Sequence, residues 1–245
     1  MKHYDSGTYG RSVAPYYDGW YSDTDPKMLS TLKSWAGNGP ALELGIGSGR
    51  VAIPLAEQGV DIHGVDSSPE MVELMRKKPG GQAIPVTIGD FAQPVEGGPF
   101  SLVFVVFNTF FGLTSQGSQL QCFRSVRKAL SPGGGFALEC FFPRVSRFRG
   151  GQTTRTIEAD GDLVRLECSR HSEVRQTIDT TQVLLGGSRG VELLPLRIRY
   201  VWPSEMDLMA EMAGLRLESR WGSWGGDPFE DGCGKHISLY RKSAD

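Results

Sequence analysis

The chain has 245 residues, of which 39% are hydrophobic and 22% are charged, and its formal net charge at pH 7 is −2. This composition is typical of one soluble domain, and the dispersed basic residues exclude the basic surface expected of a nucleic-acid-binding protein. No apolar run approaches the roughly 18 residues of a membrane span, and the polar first residues do not resemble a signal peptide. We expect a cytoplasmic monomer or homodimer that binds neither nucleic acid nor membrane.

The cysteines indicate neither a metal site nor a disulfide framework. They lie far apart in the sequence, without a C-x-x-C pair, at Cys122, Cys140, Cys168 and Cys233. Paired cysteines at short spacing are the usual signature of a zinc cluster. We therefore expect reduced, mostly packed cysteines and no bound metal.

The first 21 residues contain six aromatic side chains, which is unusual for a polar leader segment. A short helix that packs its aromatic residues over the mouth of a sheet accounts for most of them. Asp25 and Pro26 then begin a second helix, and Gly37 marks its end. This pattern predicts a helical N-terminal lid over residues 1–39.

The segment Pro40–Arg50, PALELGIGSGR, predicts a ligand-binding turn between a strand (Ala41–Leu44) and a helix (Val51–Gln58). Its glycines remove Cβ atoms where backbone approaches a ligand, and free N–H groups of the helix face the same point. These glycines are Gly45, Gly47 and Gly49.

Two acids near this turn distinguish between possible nucleotide ligands. A dinucleotide-binding turn has the pattern G-x-G-x-x-G, but here Arg50 replaces the third glycine. Glu43 precedes the turn, where a carboxylate would repel a pyrophosphate but attract the ammonium of an amino acid. Asp66 follows a second strand, Asp61–Val65, and is placed to accept hydrogen bonds from both ribose hydroxyls. An amino-acid ammonium together with a ribose indicates S-adenosylmethionine.

Two further segments complete a set of four motifs. Gly89-Asp90-Phe91 follows a predicted third strand, Ala83–Ile88. Asn108 follows Ser101–Phe107, a continuous apolar run typical of a central parallel strand. With ELGIGSGR and GVDSSPEM before them, these motifs make the chain resemble the class I S-adenosylmethionine-dependent methyltransferases, most closely over Pro40–Phe141.

The resemblance implies an α/β fold with a doubly wound, seven-stranded, mostly parallel sheet of strand order 3-2-1-4-5-7-6. It also implies that Asp90 binds the adenine amine, that Phe91 contacts the ring through its backbone, and that Tyr17 reaches the cofactor carboxylate. The expected residues for S-adenosylmethionine and its product S-adenosylhomocysteine are Tyr17, Tyr21, Glu43, Gly45, Gly47, Gly49, Asp66, Ser67, Met71, Asp90, Phe91 and Asn108.

After the fifth predicted strand, Phe136–Phe142, the periodicity changes to the alternation of antiparallel strands. This predicts an antiparallel β ribbon inserted over the active site, which would form the substrate wall. The expected division is a lid at 1–39, a cofactor-binding core at 40–142, the insertion at 143–202 and a return to the core sheet at 203–245. Aromatic residues expected to contact a small-molecule acceptor are Trp20, Tyr21, Phe111, Tyr200 and Trp202.

The chemistry demands few side chains, because a sulfonium methyl group is already activated and alignment with exclusion of water supplies most of the acceleration. If the acceptor must lose a proton, His171 in the ribbon is the candidate base. The fourth strand lacks the D/N-P-P-Y/F motif, so the resemblance favours methyl transfer to an N, O, S or C atom of a natural product such as a peptide or amino sugar. A nicotinamide-dependent oxidoreductase and a catalytically idle binding module remain alternatives.

Overall fold

A computed structural model describes residues 4–186 and 190–243 of the chain. The helices are α1 (Thr8–Val13), α2 (Tyr17–Trp20), α3 (Pro26–Ala36), α4 (Ala52–Glu57), α5 (Pro69–Arg76), α6 (Gln116–Ala129) and α7 (Pro203–Met212). The strands are β1 (Ala41–Leu44), β2 (Ile62–Asp66), β3 (Val86–Ile88), β4 (Phe100–Val105), β5 (Leu130–Phe141), β6 (Gln152–Asp160), β7 (Leu163–Ser172), β8 (Thr177–Gly186), β9 (Val191–Arg199), β10 (Leu215–Trp221) and β11 (Lys235–Lys242).

Seven strands form the central sheet in the order β10-β11-β5-β4-β1-β2-β3. Five neighbouring strands run parallel, namely β5, β4, β1, β2 and β3. Strand β11 lies between β5 and β10 and is antiparallel to both. Since β10 and β11 are the sixth and seventh strands of this sheet, the expected order 3-2-1-4-5-7-6 is confirmed. The carboxyl ends of β1, β2 and β4 consequently bring the glycine turn, Asp66 and Asn108 to one edge of the sheet.

The central sheet is buried on both faces, as its apolar sequence requires. One cluster of buried side chains contains Val103, Phe123 and Phe136, and the cluster on the other face contains Met28, Leu102 and Phe104. Alternate residues of β4 thus enter opposite clusters. Helices that cover both faces hold the ligand edge rigidly in place.

Strand β5 begins earlier than the sequence predicts. The glycine-rich segment after Ala129 ends α6 as expected, but Leu130 already pairs with Phe100 of β4. The register then shifts, and Leu102 pairs with Gly135. The glycines therefore form an irregular start to the strand and not a loop that precedes it.

The inserted segment folds as a separate antiparallel sheet of order β6-β7-β8-β9. A buried polar network joins this sheet, called here the ribbon, to the core. Arg199 at the end of β9 forms an ion pair with Glu205 of α7 at 2.7 Å and donates to Oε1 of Gln119 of α6 at 2.6 Å. This network fixes the ribbon over the ligand edge.

The leader helices α1 and α2 pack on both the core and the ribbon. Val13 and Ala14 form a small cluster with Met71 of α5, distinct from the two main clusters. Asp18 accepts a hydrogen bond from the hydroxyl of Ser48 at 2.7 Å and pairs with Lys78 at 2.8 Å. Over the two described ranges, none of the helices is both long and apolar enough to cross a membrane.

Candidate functional site

A cavity of about 400 Å³, called here the main cavity, lies at the carboxyl ends of β1, β2 and β4. The core supplies its floor, the ribbon contributes Leu196 and Ile198, and the leader supplies a wall of tyrosines: Tyr4, Tyr9, Tyr17 and Tyr21. The cavity volume is within the range of small-molecule sites in proteins.

Most of the predicted cofactor residues line the main cavity. They are Tyr17, Tyr21, Gly45, Gly47, Asp66, Ser67, Met71, Asp90, Phe91 and Asn108. Glu43 lines a smaller adjoining recess, called here the inner cleft, and Gly49 lies outside both. A Cβ on Gly49 would come within 2.5 Å of Cγ of Met75, so this glycine allows the turn to pack against α5.

The inner cleft brings together a buried carboxyl group and a partly buried guanidinium. Glu43 is 3% exposed, and its Oε2 has no hydrogen-bond partner within the described part of the chain. Burial raises the pKa of Glu43 well above its usual value, although the positive charge of Arg50 opposes this shift. The Nε of Arg50 likewise finds no acceptor among the residues that the structure describes. Glu43 and Arg50 thus present an unpartnered acceptor and an unpartnered donor, groups that could pair with an ammonium and a carboxylate respectively.

Arg50 lies at the centre of this region, although in the sequence it is notable only as a replacement for the third glycine of a dinucleotide-binding turn. Its guanidinium carbon lies 3.5 Å from the centroid of the Phe107 ring, and Nη2 donates to the hydroxyl of Tyr17 at 3.4 Å. Arg50, Tyr17 and Phe107 line both the main cavity and the inner cleft. A guanidinium stacked on an aromatic ring is held flat, which suits it to a carboxylate.

Asp66 joins two backbone segments at the ligand edge. Its Oδ2 accepts from the N–H of Gly47 at 2.7 Å, and its Oδ1 accepts from the N–H of Ser68 at 2.8 Å. Burial raises the pKa of Asp66, and these N–H groups oppose part of that shift. Because each carboxylate oxygen can accept a second bond, both remain able to receive a ribose hydroxyl.

Gly47 faces the ligand space directly. Its φ is +56°, and a Cβ built on it would have only ordinary contacts within the protein, the nearest being Cε of Met71 at 3.4 Å. The protein itself therefore leaves room for a methyl group at this position. The space that such a group would enter belongs to the main cavity.

The predicted substrate residues other than Tyr21 lie outside the main cavity lining. Phe111 is fully buried in the core, and Trp20 stacks on Tyr16 and lies under Arg165 of the ribbon. Tyr200 is buried beside the cavity, and Trp202 packs against Phe142. The cavity is lined instead by Leu196 and Ile198, which share one face of the chain with Tyr200 and lie nearer the start of β9.

His171 is part of an aromatic cluster in the ribbon. Its Nε2 and the hydroxyl of Tyr200 are 2.9 Å apart, and its ring stacks on Phe148 with a centroid distance of 4.8 Å. Burial lowers the pKa of His171. The imidazole is absent from the cavity lining, so this arrangement supports a packing role.

The tyrosine wall is polar but remains uncharged. Burial raises the pKa of Tyr4, Tyr9 and Tyr17. Phenols of raised pKa stay protonated at neutral pH and act as hydrogen-bonding groups, not as bases.

Among the described residues, no group of three or more His, Cys, Asp or Glu side chains is arranged to hold a metal ion.

Comparisons with known proteins identify the fold and its chemistry. A family model described as a methyltransferase domain matches residues 41–134. The CcbJ methyltransferase from Streptomyces caelestis is 38% identical, superposes with a TM-score of 0.90, and the match covers 98% of this chain and 100% of that one.

Two other relatives extend the comparison. The cypemycin N-terminal methyltransferase of a Streptomyces species is 28% identical over 194 residues, which is 77% of either protein. CalS10 from Micromonospora echinaspora, an amino pentose methyltransferase solved with S-adenosylmethionine bound, is 17% identical with a TM-score of 0.68, over 97% of this chain and 99% of that one. The likeness to CalS10 shows the fold alone.

The chain therefore belongs to the class I S-adenosylmethionine-dependent methyltransferases, and S-adenosylmethionine is its cofactor. The described residues fit this cofactor. Glu43 has an unpartnered buried oxygen, Asp66 has two oxygens with acceptor capacity, and Gly47 leaves open the space that a Cβ would fill. The expected methyltransferase activity is confirmed, and the alternative of a nicotinamide-dependent oxidoreductase is set aside.

Gly47→Ala should reduce the affinity for S-adenosylhomocysteine by about tenfold or more, because the new methyl group enters space needed by the ligand. The matched control is Gly37→Ala at the end of α3, where φ is +60° and a Cβ has open space around it. Gly37 has φ +60° and ψ −130°, a conformation that alanine adopts only with strain, so Gly37→Ala should lower the melting temperature without lowering the affinity. Calorimetric titration measures the affinities, and equal affinities in the two variants would contradict this role of Gly47.

Proposed function

We propose that the protein transfers a methyl group from S-adenosylmethionine to an amine nitrogen of a small, partly apolar natural product. The observation that carries this proposal is the division of the main cavity into two ends. The core end presents the charged residues Arg50, Asp66 and Asp90, whereas the outer end is walled by neutral tyrosines and aliphatic side chains. A bulky acceptor with a neutral nucleophile fits the outer end.

The chain's own residues account for the binding of the cofactor. Glu43 would receive the ammonium of the methionine moiety, and Arg50 with Tyr17 would receive its carboxylate. Asp66 would accept the ribose hydroxyls, and Asp90 and Phe91 would bind the adenine. Asp90 is already oriented, because its Oδ1 accepts from the N–H of Ala92 at 2.8 Å.

The nature of the acceptor end favours an amine that reacts as the free base. S-adenosylmethionine supplies a methyl group activated on a sulfonium, so the protein needs chiefly to orient the acceptor and exclude water. The outer end combines uncharged phenols with the aliphatic side chains of Leu196 and Ile198, and such an uncharged, partly desolvated surrounding disfavours an ammonium ion. A neutral amine needs no protein base, which agrees with the absence of histidine among the lining residues of the cavity.

The relatives support nitrogen as the target atom. The cypemycin enzyme is named for a peptide N-terminus, and CalS10 is named for an amino pentose. Both acceptors present an amine on a larger body. A panel of amino sugars and short peptides, each paired with an analogue that has a hydroxyl in place of the amine, tests the proposal by mass spectrometry of methylated products. Methylation of the hydroxyl analogues alone would overturn the choice of nitrogen.

The pH dependence of the reaction provides a second test. With a free-base acceptor, kcat/KM should rise with pH and level off above the pKa of the acceptor amine, and the midpoint should move when acceptors of different basicity are compared. His171→Gln, which can still hydrogen-bond Tyr200, should keep this profile. If kcat/KM instead rises with the same midpoint pH for all acceptors, and this rise disappears in His171→Gln, then His171 is the base.

Glu43 should make cofactor binding depend on pH. Its pKa is raised in the free protein, and the ionised form is required to pair with an ammonium, so affinity should fall as pH drops below that raised pKa and be constant above it. Glu43→Gln should lose about 1.5–3 kcal/mol of binding free energy, the usual value of a hydrogen bond to a charged group, and should lose the pH dependence. Titrations of S-adenosylhomocysteine across pH would contradict the assignment if both proteins gave the same curve.

The leader should be essential for transfer but not for folding. Removal of residues 1–23 deletes the tyrosine wall and the small cluster around Val13, and leaves the two main clusters of the core in place. Cofactor affinity should fall modestly through loss of Tyr17, whereas methyl transfer should fall by about a hundredfold or more, because the acceptor is misaligned and water enters. Circular dichroism checks the fold. A folded truncation that retains the original rate would contradict the lid.

A further inference from the structure

A carboxylate that the proposed reaction does not use lies buried behind the site. Glu139 is the single charged residue in the apolar segment Phe136–Phe142, and it is 5% exposed. Its Oε1 accepts a hydrogen bond from Nζ of Lys235 at 2.6 Å, and its Oε2 accepts one from the backbone N–H of Phe107 at 3.1 Å. Stability alone does not explain why a glutamate occupies this position, because replacing a buried ion pair with well-packed apolar residues usually leaves the free energy of unfolding unchanged or higher.

The backbone that Glu139 holds is strained. Phe107 and Asn108 follow β4, and both have a left-handed conformation, with φ values of 54° and 67°. Asparagine tolerates this conformation, but it is unfavourable for a bulky residue such as phenylalanine. It persists only where the surroundings hold it, and such strained turns cluster at functional sites.

Two more hydrogen bonds join this turn to β5. The N–H of Asn108 donates to the carbonyl oxygen of Glu139 at 3.2 Å, and the N–H of Phe141 donates to Oδ1 of Asn108 at 2.6 Å. The side chain of Glu139 is thus the contact that fixes Phe107, while the other two fix Asn108. The turn holds the Phe107 ring against the guanidinium of Arg50, at the junction of the main cavity and the inner cleft.

We propose that Glu139 is a positioning residue for the cofactor. Paired with Lys235, it fixes the Phe107 turn so that the ring holds Arg50 flat toward the carboxylate of the methionine moiety. The inference rests on the proposed role of Arg50 in binding that carboxylate. It predicts that Glu139 affects recognition of the amino-acid part of the cofactor and not of its nucleoside part.

Two ligands separate these parts. S-adenosylhomocysteine carries the amino-acid end, and 5′-methylthioadenosine has the same nucleoside and sulfur without it. In Glu139→Gln, the affinity for S-adenosylhomocysteine should fall about tenfold, whereas that for 5′-methylthioadenosine should stay within about twofold of the original. Calorimetric titration measures both. An equal loss of affinity for the two ligands would indicate that Glu139 has only a general structural role. No loss of affinity for either ligand would show that Glu139 does not affect cofactor binding. Both results overturn the proposal.

Lys235 provides a second variant that keeps the test decisive if Glu139→Gln folds poorly. Its side chain is 42% exposed, so Lys235→Gln should fold, and it should show a smaller loss of affinity with the same ligand selectivity, because Glu139 keeps its hydrogen bond to Phe107 but loses its charged partner. The double variant Glu139→Gln, Lys235→Gln should recover affinity relative to either single variant. The amide oxygen at position 139 can accept from the N–H of Phe107, while its NH₂ group donates to the amide oxygen at position 235. Additive losses in the double variant would overturn the proposed pair.

Arg50→Gln distinguishes failure of this inference from failure of the proposed function. It should produce a ligand-selective loss at least as large as that of Glu139→Gln. If Arg50→Gln loses no affinity for S-adenosylhomocysteine, the assignment of the carboxylate to Arg50 is wrong. If Arg50→Gln shows the selective loss and neither Glu139→Gln nor Lys235→Gln does, Arg50 binds the carboxylate without help from Glu139.

Discussion

The buried carboxylate of Glu43 is the constraint on which the proposed cofactor site depends. A buried acid with an unpartnered oxygen is unfavourable in the free protein, and burial accordingly raises its pKa. The unfavourable term is removed when an ammonium enters the inner cleft. Arg50 opposes the charge of Glu43 from the same cleft, so a ligand that carries both an ammonium and a carboxylate is favoured over either ion alone.

The surrounding structure keeps these groups apart and in position. Asp66 joins the glycine turn to the start of α5 through Gly47 and Ser68, and the strained turn at Phe107 holds its ring against Arg50. The leader then covers the open side, where Asp18 connects it to Ser48 and Lys78. A rigid floor of strand ends and a separate helical cover suit a reaction that depends on alignment and on the exclusion of water.

Local patterns predicted the core well, and long-range geometry explains what they missed. The glycine turn and Asp66 lie where predicted because consecutive parallel strands bring their ends to one edge of the sheet. Tyr200 was expected to contact the acceptor, but Ile198 lines the cavity in its place, because the cavity lies nearer the start of β9 than the sequence alone reveals. Arg50 and Glu139 acquire their significance from contacts with Phe107, whose left-handed backbone has no signature in a run of apolar residues.

A crystal structure with S-adenosylhomocysteine bound is the most direct test of this account. We expect the ligand's amino group on Oε2 of Glu43, its carboxylate between Arg50 and Tyr17, and its ribose hydroxyls on Asp66, with the Phe107 turn unchanged. A ligand whose amino-acid end lies in the outer, tyrosine-walled part of the main cavity, with Glu43 still unpartnered, would contradict it.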